Sequence, residues 1–118
     1  MALILYVEDH PPAQMLMRAI VDDLTAHHLE VASTGAEALS KAQALLPALY
    51  IVDLDLPDTD GLALASELKA IHTSPVILVS AYAESVKDTA IRSIVSVYLP
   101  KPLDPTHVAE TIERTLAR

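Results

Sequence analysis

Polar residues suited to phosphoryl chemistry follow four short apolar runs of this 118-residue chain. They are Glu8 and Asp9 after the first run, Asp53 after the second, Ser80 after the third and Lys101 after the fourth. Carboxylates bind hard divalent cations, and an amine or hydroxyl can contact a phosphoryl group. If the runs are neighbouring parallel strands, these groups emerge at one edge of one sheet and form a site.

The three acids predict a cation. Glu8, Asp9 and Asp53 at adjacent strand ends would repel one another, and either raised pKa values or a bound metal relieves that repulsion. Carboxylate oxygens favour Mg²⁺ or Ca²⁺ over zinc or copper, so we expect Mg²⁺, with Mn²⁺ as its substitute. A single acid at a strand end usually has no function beyond facing water. The combination with Ser80 and Lys101 at matching strand ends favours a functional site.

The apolar runs predict strands that alternate with helices. The predicted strands are Leu3–Val7, Leu29–Ser33, Leu49–Leu54, Val76–Val79 and Val97–Leu99. Continuous apolar runs of this length are typical of parallel strands that are covered on both faces.

Helical periodicity follows each strand. The predicted buried faces are Leu16, Ile20 and Leu24 in the first helix; Ala38, Leu39, Ala42, Leu45 and Leu46 in the second; Leu64, Ala65, Leu68 and Ile71 in the third; and Val108, Ile112 and Leu116 in the last. Start signals precede all four: Pro11–Pro12, Thr34 with Glu37, the turn Asp58–Gly61, and Asp104–Pro105. The fourth predicted helix, from Glu84 to about Ser93, has the weakest apolar stripe.

This alternation predicts an α/β fold: one doubly wound (βα)5 domain over residues 1–118, with a five-stranded parallel sheet and helices on both faces. In such sheets ligands bind beyond the carboxyl ends of the strands. The opening set of polar residues lies at that edge.

Composition excludes several classes of function. The formal charge of −8 argues against nucleic acid as a direct ligand. The absence of cysteine excludes disulfides and thiolate metal sites. No apolar stretch approaches the roughly 20 residues that span a bilayer, and no signal-peptide pattern opens the chain. We therefore expect a cytoplasmic domain without membrane contact.

Four groups of residues carry a family resemblance. They are Val7-Glu8-Asp9, Asp53-Leu-Asp-Leu-Pro-x-x-Asp-Gly61, Ser80-Ala81 and Tyr98-Leu-Pro-Lys101-Pro102. In this order and placement they resemble a response-regulator receiver domain over essentially the whole chain. The resemblance implies the strand order 2-1-3-4-5 and a phosphorylation-activated switch of a two-component or phosphorelay system.

The resemblance also implies roles for the acids. Asp53 would accept a phosphoryl group from a phosphohistidine of a sensor histidine kinase or a histidine phosphotransfer protein. Asp9 and Asp53 would bind Mg²⁺ directly, Glu8 through water, and Asp55 through its backbone carbonyl. The domain would thus catalyse its own phosphorylation and dephosphorylation without being a classical enzyme.

Further roles follow from the same resemblance. Lys101 would contact the phosphoryl oxygens, held by a cis peptide bond to Pro102. Ser80 and Tyr98 would form the switch that responds to the phosphoryl group. Ala81 is small and leaves access to Asp53, while the structural residues of the turn are Pro57 and Gly61.

The expected output surface consists of the fourth predicted helix, the fifth strand and the last helix. It would bind a downstream effector protein or a fused output domain, and it would carry any homodimer contact. The sequence departs from the family here, with Ile94–Val97 in place of a Gly-Ala pair and Leu103 in place of Phe. The residues therefore predict the input chemistry better than the output.

Two alternatives remain open. One is a receiver-like interaction module that binds its partner independently of phosphorylation. The other is a haloacid-dehalogenase-like phosphatase, because Asp53 and Asp55 fit its Asp-x-Asp motif. Those enzymes usually carry the motif on their first strand and have a larger domain, which makes this alternative the weaker one.

Overall fold

The computed structural model describes residues 1–81 and 95–117. Its elements are β1 (Leu3–Val7), α1 (Pro11–Leu24), β2 (His28–Ala32), α2 (Gly35–Leu45), β3 (Leu49–Asp53), α3 (Gly61–Ile71), β4 (Val76–Ser80), β5 (Val97–Pro100) and α4 (Pro105–Leu116). The helix predicted between Glu84 and Ser93 lies outside the described residues. Within the described ranges, no helix combines the length and apolar character needed to cross a membrane.

The five strands form one parallel sheet in the order β2-β1-β3-β4-β5, as predicted. Val7 pairs with Val52, and Asp53 pairs with Val79. This register aligns the carboxyl ends of β1, β3 and β4. The residues that follow these strands therefore meet at one edge. β2 begins at His28, one residue before the predicted strand.

Two apolar cores lie on opposite faces of the sheet. Side chains alternate along each strand, so Ile4 and Tyr6 of β1 enter one core while Leu5 and Val7 enter the other. Helices α1 and α4 cover the first core, and α2 and α3 cover the second. Burial on both faces explains why the strands read as continuous apolar runs.

Local polar residues start three helices, as predicted. The Thr34 hydroxyl accepts a hydrogen bond from the Glu37 amide at 3.1 Å, and Asp60 accepts one from Leu62 at 2.8 Å. Asp104 accepts bonds from the Thr106 and His107 amides. Each of these acceptors satisfies amides that have no partner inside the first turn.

The predicted buried face of α1 was partly wrong. Ile20 is buried, but Leu16 is 39% exposed and Leu24 is 51% exposed. Met17 and Val21 are buried instead. Both sets satisfy the helical period, because apolar residues stand next to each other along α1. Packing on the sheet, and not periodicity, selects between them. The predicted faces of α3 and α4 are confirmed, with Ile71 and Leu116 half-buried.

The predicted buried end of α2 was also wrong. Ala38 and Ala42 are buried, whereas Leu45 is 41% exposed and Leu46 is 54% exposed. The helix ends at Leu45, and Leu46 caps it in the left-handed region with φ 47°. The chain turns toward β3 at this point. The last two leucines therefore lie beyond the part of α2 that packs on the sheet.

Leu46→Gly is expected to raise the free energy of unfolding by about 0.5–1 kcal/mol, because glycine adopts a left-handed cap without a Cβ clash. Urea denaturation measures the change. Leu45→Gly is the control, since Leu45 is helical and a helical glycine lowers stability by about 1 kcal/mol. Equal effects of the two substitutions would contradict this explanation.

Candidate functional site

Three carboxylates meet at the carboxyl edge of the sheet. Glu8 and Asp9 follow β1, and Asp53 ends β3. Their ligand oxygens all lie within 4.8 Å of one another. Glu8 is 1% exposed and Asp53 is 2% exposed, while Asp9 is open to solvent. The structure therefore brings together the acids that the strand ends predicted, with Asp9 on the open side.

Lys101 reaches the same cluster from the loop after β5. Its Nζ donates to Glu8 Oε1 at 3.0 Å and to Asp53 Oδ2 at 3.2 Å. Its backbone amide donates to the Ser80 carbonyl at 3.0 Å, and the Lys101–Pro102 peptide bond is cis. One ammonium thus pairs with two of the three carboxylates, and the cluster keeps an excess of negative charge when all three are ionised.

Burial and charge change the ionisation of this cluster. The pKa of Glu8 is raised to about 7, chiefly by burial, with the neighbouring Asp53 acting in the same direction and Lys101 against it. Burial lowers the pKa of Lys101, but its bonds and charge interactions with Glu8 and Asp53 outweigh burial and raise it overall. Tyr6 donates to Glu8 Oε1 at 3.3 Å, and burial raises the pKa of this tyrosine. The site therefore favours the protonated form of Glu8 more strongly than water does.

The metal-free protein is expected to lose stability between pH 5 and pH 7.5. The folded-state pKa of Glu8 lies above its ordinary value, so folding favours the protonated form and this contribution is lost as the pH rises through about 7. We expect a loss on the order of 2 kcal/mol. Urea denaturation with a chelator measures it. Glu8→Gln should remove this part of the pH dependence, and an unchanged slope in that variant would contradict the assignment.

The cluster fits a small hard cation. Oxygen ligands of one octahedral Mg²⁺ lie about 3 to 4 Å apart, given ligand distances near 2.1 Å. The ligand oxygens of Glu8, Asp9 and Asp53 need only small adjustments to reach that spacing. The donors are all oxygens, which is the set that Mg²⁺ and Mn²⁺ prefer. A cation would also reduce the repulsion between the two buried carboxylates.

The start of α3 packs against the end of β3. The Asp55 amide donates to Asp53 Oδ1 at 3.3 Å, and the Gly61 amide donates to the Leu54 carbonyl at 3.1 Å. A Cβ on Gly61 would lie 2.3 Å from the Asp53 carbonyl oxygen. Only glycine permits this approach, so residue 61 fixes the backbone that carries Asp53. The Asp55 side chain is exposed.

Ser80 and Tyr98 occupy different positions relative to the acids. Ser80 ends β4 and is fully buried, one residue beyond the pairing partner of Asp53. Tyr98 lies on β5 opposite Leu78 and packs against the core under α2 and α3. Its hydroxyl is buried and has no hydrogen-bond partner among the described residues. Burial raises the pKa of this tyrosine. Ala81 is exposed beside the site.

Two residues near the site were missed by the sequence analysis. The Gln14 side-chain amide donates to the Glu8 carbonyl and, at 3.1 Å, to the Ser33 hydroxyl. Asp58 accepts bonds from two amides at the start of α2. In the sequence, Asp58 belongs to an Asp-rich turn that predicts only turn and cap chemistry. Neither long-range contact has a local sequence signal.

Comparison with known families decides the relationship. The family model described as the response regulator receiver domain matches residues 4–113. The chain belongs to this family. The geometry agrees with that assignment, because this receiver domain has the sheet order and the acidic edge that the motifs implied.

Curated relatives include both short and long proteins. An uncharacterised 14.6 kDa protein from Leptolyngbya boryana is 34% identical over 115 residues, which cover 94% of this chain and 87% of the relative. The transcriptional regulatory protein KdpE from Mycobacterium tuberculosis is 37% identical over 105 residues, which cover 86% of this chain and 45% of KdpE. The receiver domain thus spans less than half of KdpE.

Solved structures share the fold over nearly the whole chain. A CheY-like receiver domain from Methanospirillum hungatei has a TM-score of 0.88 at 25% identity and covers 98% of this chain and 93% of its own. The response regulator TrrA from Thermotoga maritima, solved in complex with Mg²⁺-BeF, has a TM-score of 0.87 at 25% identity. The match covers 98% of this chain and 99% of the TrrA chain.

Proposed function

We propose that this receiver domain is a phosphorylation-activated switch that accepts a phosphoryl group on Asp53 in a Mg²⁺-dependent reaction. The observation that carries the proposal is the position of Asp53. Its carboxylate lies within 4.8 Å of two further carboxylates and 3.2 Å from the Lys101 ammonium. A nucleophile, a set of cation ligands and a fixed positive charge therefore share one small site.

The reaction would proceed by direct attack. A carboxylate oxygen of Asp53 attacks the phosphorus of a phosphohistidine, the P–N bond breaks, and its electrons return to the imidazole of the donor. The product is an acyl phosphate on Asp53. The Asp55 amide, which donates to Asp53 Oδ1, orients the carboxylate for this attack.

The charges of the site would serve the same step. Asp9, Asp53, Glu8 and the Asp55 carbonyl would hold Mg²⁺, which offsets the repulsion between an anionic nucleophile and an anionic phosphoryl group. The Lys101 ammonium, which pairs with Asp53 and Glu8, would transfer its hydrogen bonds to the phosphoryl oxygens. The Mg²⁺-BeF complex of the similar response regulator TrrA supports a Mg²⁺-dependent reaction in this receiver domain.

A groove beside the site suits a protein phosphodonor. It has a volume of about 500 Å³ and lies between α1 and the loop after β5. Pro12, Leu16 and Leu103 give it apolar walls, and Lys101 forms its end nearest the acids. A sensor histidine kinase or a histidine phosphotransfer protein would dock here and present its phosphohistidine to Asp53.

Signalling would use Ser80 at the end of β4 and the surface around Tyr98 on β5. Drawing Ser80 toward the phosphoryl group would shift the balance between two conformations, and Tyr98 would follow. The Tyr98 hydroxyl is buried and has no hydrogen-bond partner within residues 1–81 and 95–117, which supports a side chain that changes its environment during signalling. The output surface, which includes β5 and α4, would bind an effector protein, a fused output domain or a second receiver domain. We infer a cytoplasmic location from the proposed partners.

The remaining alternatives are less well supported. The chain belongs to the receiver family, and Asp53 lies on the third strand; neither fits a haloacid-dehalogenase-like phosphatase. A phosphorylation-independent interaction module would have no need for a buried acid cluster paired with Lys101. That module would bind its partner equally well with and without beryllofluoride.

Intact-mass analysis tests the proposed function. The wild-type protein is incubated with acetyl phosphate and Mg²⁺, and a parallel sample contains a chelator in place of Mg²⁺. We expect a single phosphoryl adduct with Mg²⁺ and none with the chelator. Absence of the adduct, or equal labelling in both samples, would refute the proposal.

A further inference from the structure

The loop between β3 and α3 is attached to a different helix. This loop, residues 54–60, follows Asp53 and contains the proposed metal ligand Asp55. The Asp58 carboxylate accepts hydrogen bonds from the Gly35 amide at 2.8 Å and the Ala36 amide at 3.2 Å. These amides belong to the first turn of α2, where they have no partner within the helix. Asp58 therefore joins the β3–α3 loop to α2.

Packing and charge agree with this attachment. A Cβ on Gly35 would lie 2.6 Å from Thr59 Cγ2, so the loop rests directly on the backbone of α2. The Gly35 hydrogen bond lowers the pKa of Asp58 and outweighs the opposing effect of burial, and the Ala36 bond acts in the same direction as the Gly35 bond. Asp58 is ionised at neutral pH, the form that accepts both bonds.

The same helix start is also connected to the loop after β1. Gln14 donates to the Glu8 carbonyl and to the Ser33 hydroxyl, which lies at the end of β2 just before α2. The Ser33 amide in turn donates to Glu37 in the first turn of α2 at 2.7 Å. The loops that carry Glu8 and Asp55 are thus both tied to the start of α2.

We infer that Asp58 is a positioning residue for the phosphoryl-acceptor site, because it holds the β3–α3 loop to the start of α2. The inference rests on the proposed function, since the loop it fixes carries a proposed Mg²⁺ ligand. The hydrogen bonds of the Asp58 side chain go to the Gly35 and Ala36 amides and not to Asp53 or Lys101, so Asp58 acts through the loop. Removal of a residue that orients a metal ligand in this way typically weakens metal binding about tenfold or more.

Variants at two sites separate positioning from helix stability. Asp58→Ala cuts the attachment, whereas Asp58→Asn keeps one acceptor oxygen. Thr34→Ala is the matched control, because it removes the cap that α2 receives from Thr34 and leaves Asp58 in place. We expect Mg²⁺ to bind Asp58→Ala about tenfold more weakly than wild type. Asp58→Asn should fall between them, and Thr34→Ala should bind like wild type despite a lower Tm.

Amide hydrogen exchange in the metal-free protein is a second, independent test of whether Asp58 holds the loop. The Asp55 and Gly61 amides, which donate within this segment, should exchange faster in Asp58→Ala than in wild type or Thr34→Ala. Unchanged exchange, or an equal loss of Mg²⁺ affinity in Thr34→Ala, would overturn the role of Asp58. If wild type itself bound no Mg²⁺, the proposed function would fail, and the exchange rates would still decide whether Asp58 holds the loop.

Discussion

Asp53→Asn is expected to acquire no phosphoryl group from acetyl phosphate and Mg²⁺, whereas wild type acquires one. The amide oxygen of asparagine is a poor nucleophile, and the substitution also removes a buried negative charge from the proposed cation site. Because Asp53 is 2% exposed, the substitution changes the site with little change in size or surface. Intact-mass analysis of samples quenched over a time course measures the result.

Asp55→Asn is the matched control for Asp53→Asn. Asp55 lies two residues further along the chain and is exposed, and only its backbone carbonyl is assigned a role. The substitution removes the same charge from the same acidic segment and leaves the backbone in place. We expect it to take up one phosphoryl group. Labelling of Asp53→Asn, or loss of labelling in both variants, would contradict the assignment of Asp53.

Lys101→Met is expected to lower the stability of the metal-free protein and to slow phosphorylation. Glu8 and Asp53 are buried, and Lys101 is the cation that contacts both of them. Its removal leaves two buried carboxylates without a cationic partner among the described residues, a loss on the order of 2 kcal/mol after allowance for the partial exposure of Lys101. Added Mg²⁺ should restore more stability to this variant than to wild type, because the ion replaces the missing charge. Urea denaturation with and without Mg²⁺ measures both effects.

Lys41→Met controls for the loss of a half-buried lysine. The side chains of Lys41 and Lys101 are each 30% exposed. Lys41, however, pairs with Glu30, which is 43% exposed, and lies away from the acid cluster. Its removal should cost less than about 1 kcal/mol and leave the response to Mg²⁺ unchanged. Equal behaviour of the two variants would show that Lys101 has no special relation to the carboxylates.

The strands and the acid cluster were predictable for a physical reason. A strand buried on both faces needs a continuous apolar run, and its end is marked by the first polar residue. Glu8, Asp53 and Ser80 were found in this way. Parallel pairing brings strand ends to one edge of the sheet, and the strand order that the family resemblance implies makes β1 and β3 neighbours there, so the cluster of acids was expected. The register of β1 with β3 bears this out.

The errors arose where packing, and not local pattern, decides. In α1 two apolar sets have the same period, and the sheet buries Met17 and Val21 instead of Leu16 and Leu24. At the end of α2, nothing in Leu45 and Leu46 indicates that the chain turns away from the core. The Asp58 contact with α2 joins residues 22 and 23 positions apart and has no periodic signature. Such contacts require the tertiary structure.

The most direct measurement locates the phosphoryl group itself. Borohydride reduces an acyl phosphate of aspartate to homoserine, so reduction of the phosphorylated protein followed by peptide mapping marks the residue that reacted. We expect homoserine at position 53 in samples treated with Mg²⁺ and acetyl phosphate, and none in samples treated with a chelator. Homoserine at position 9 or 55, or a stable phosphate ester on Ser80, would contradict the account.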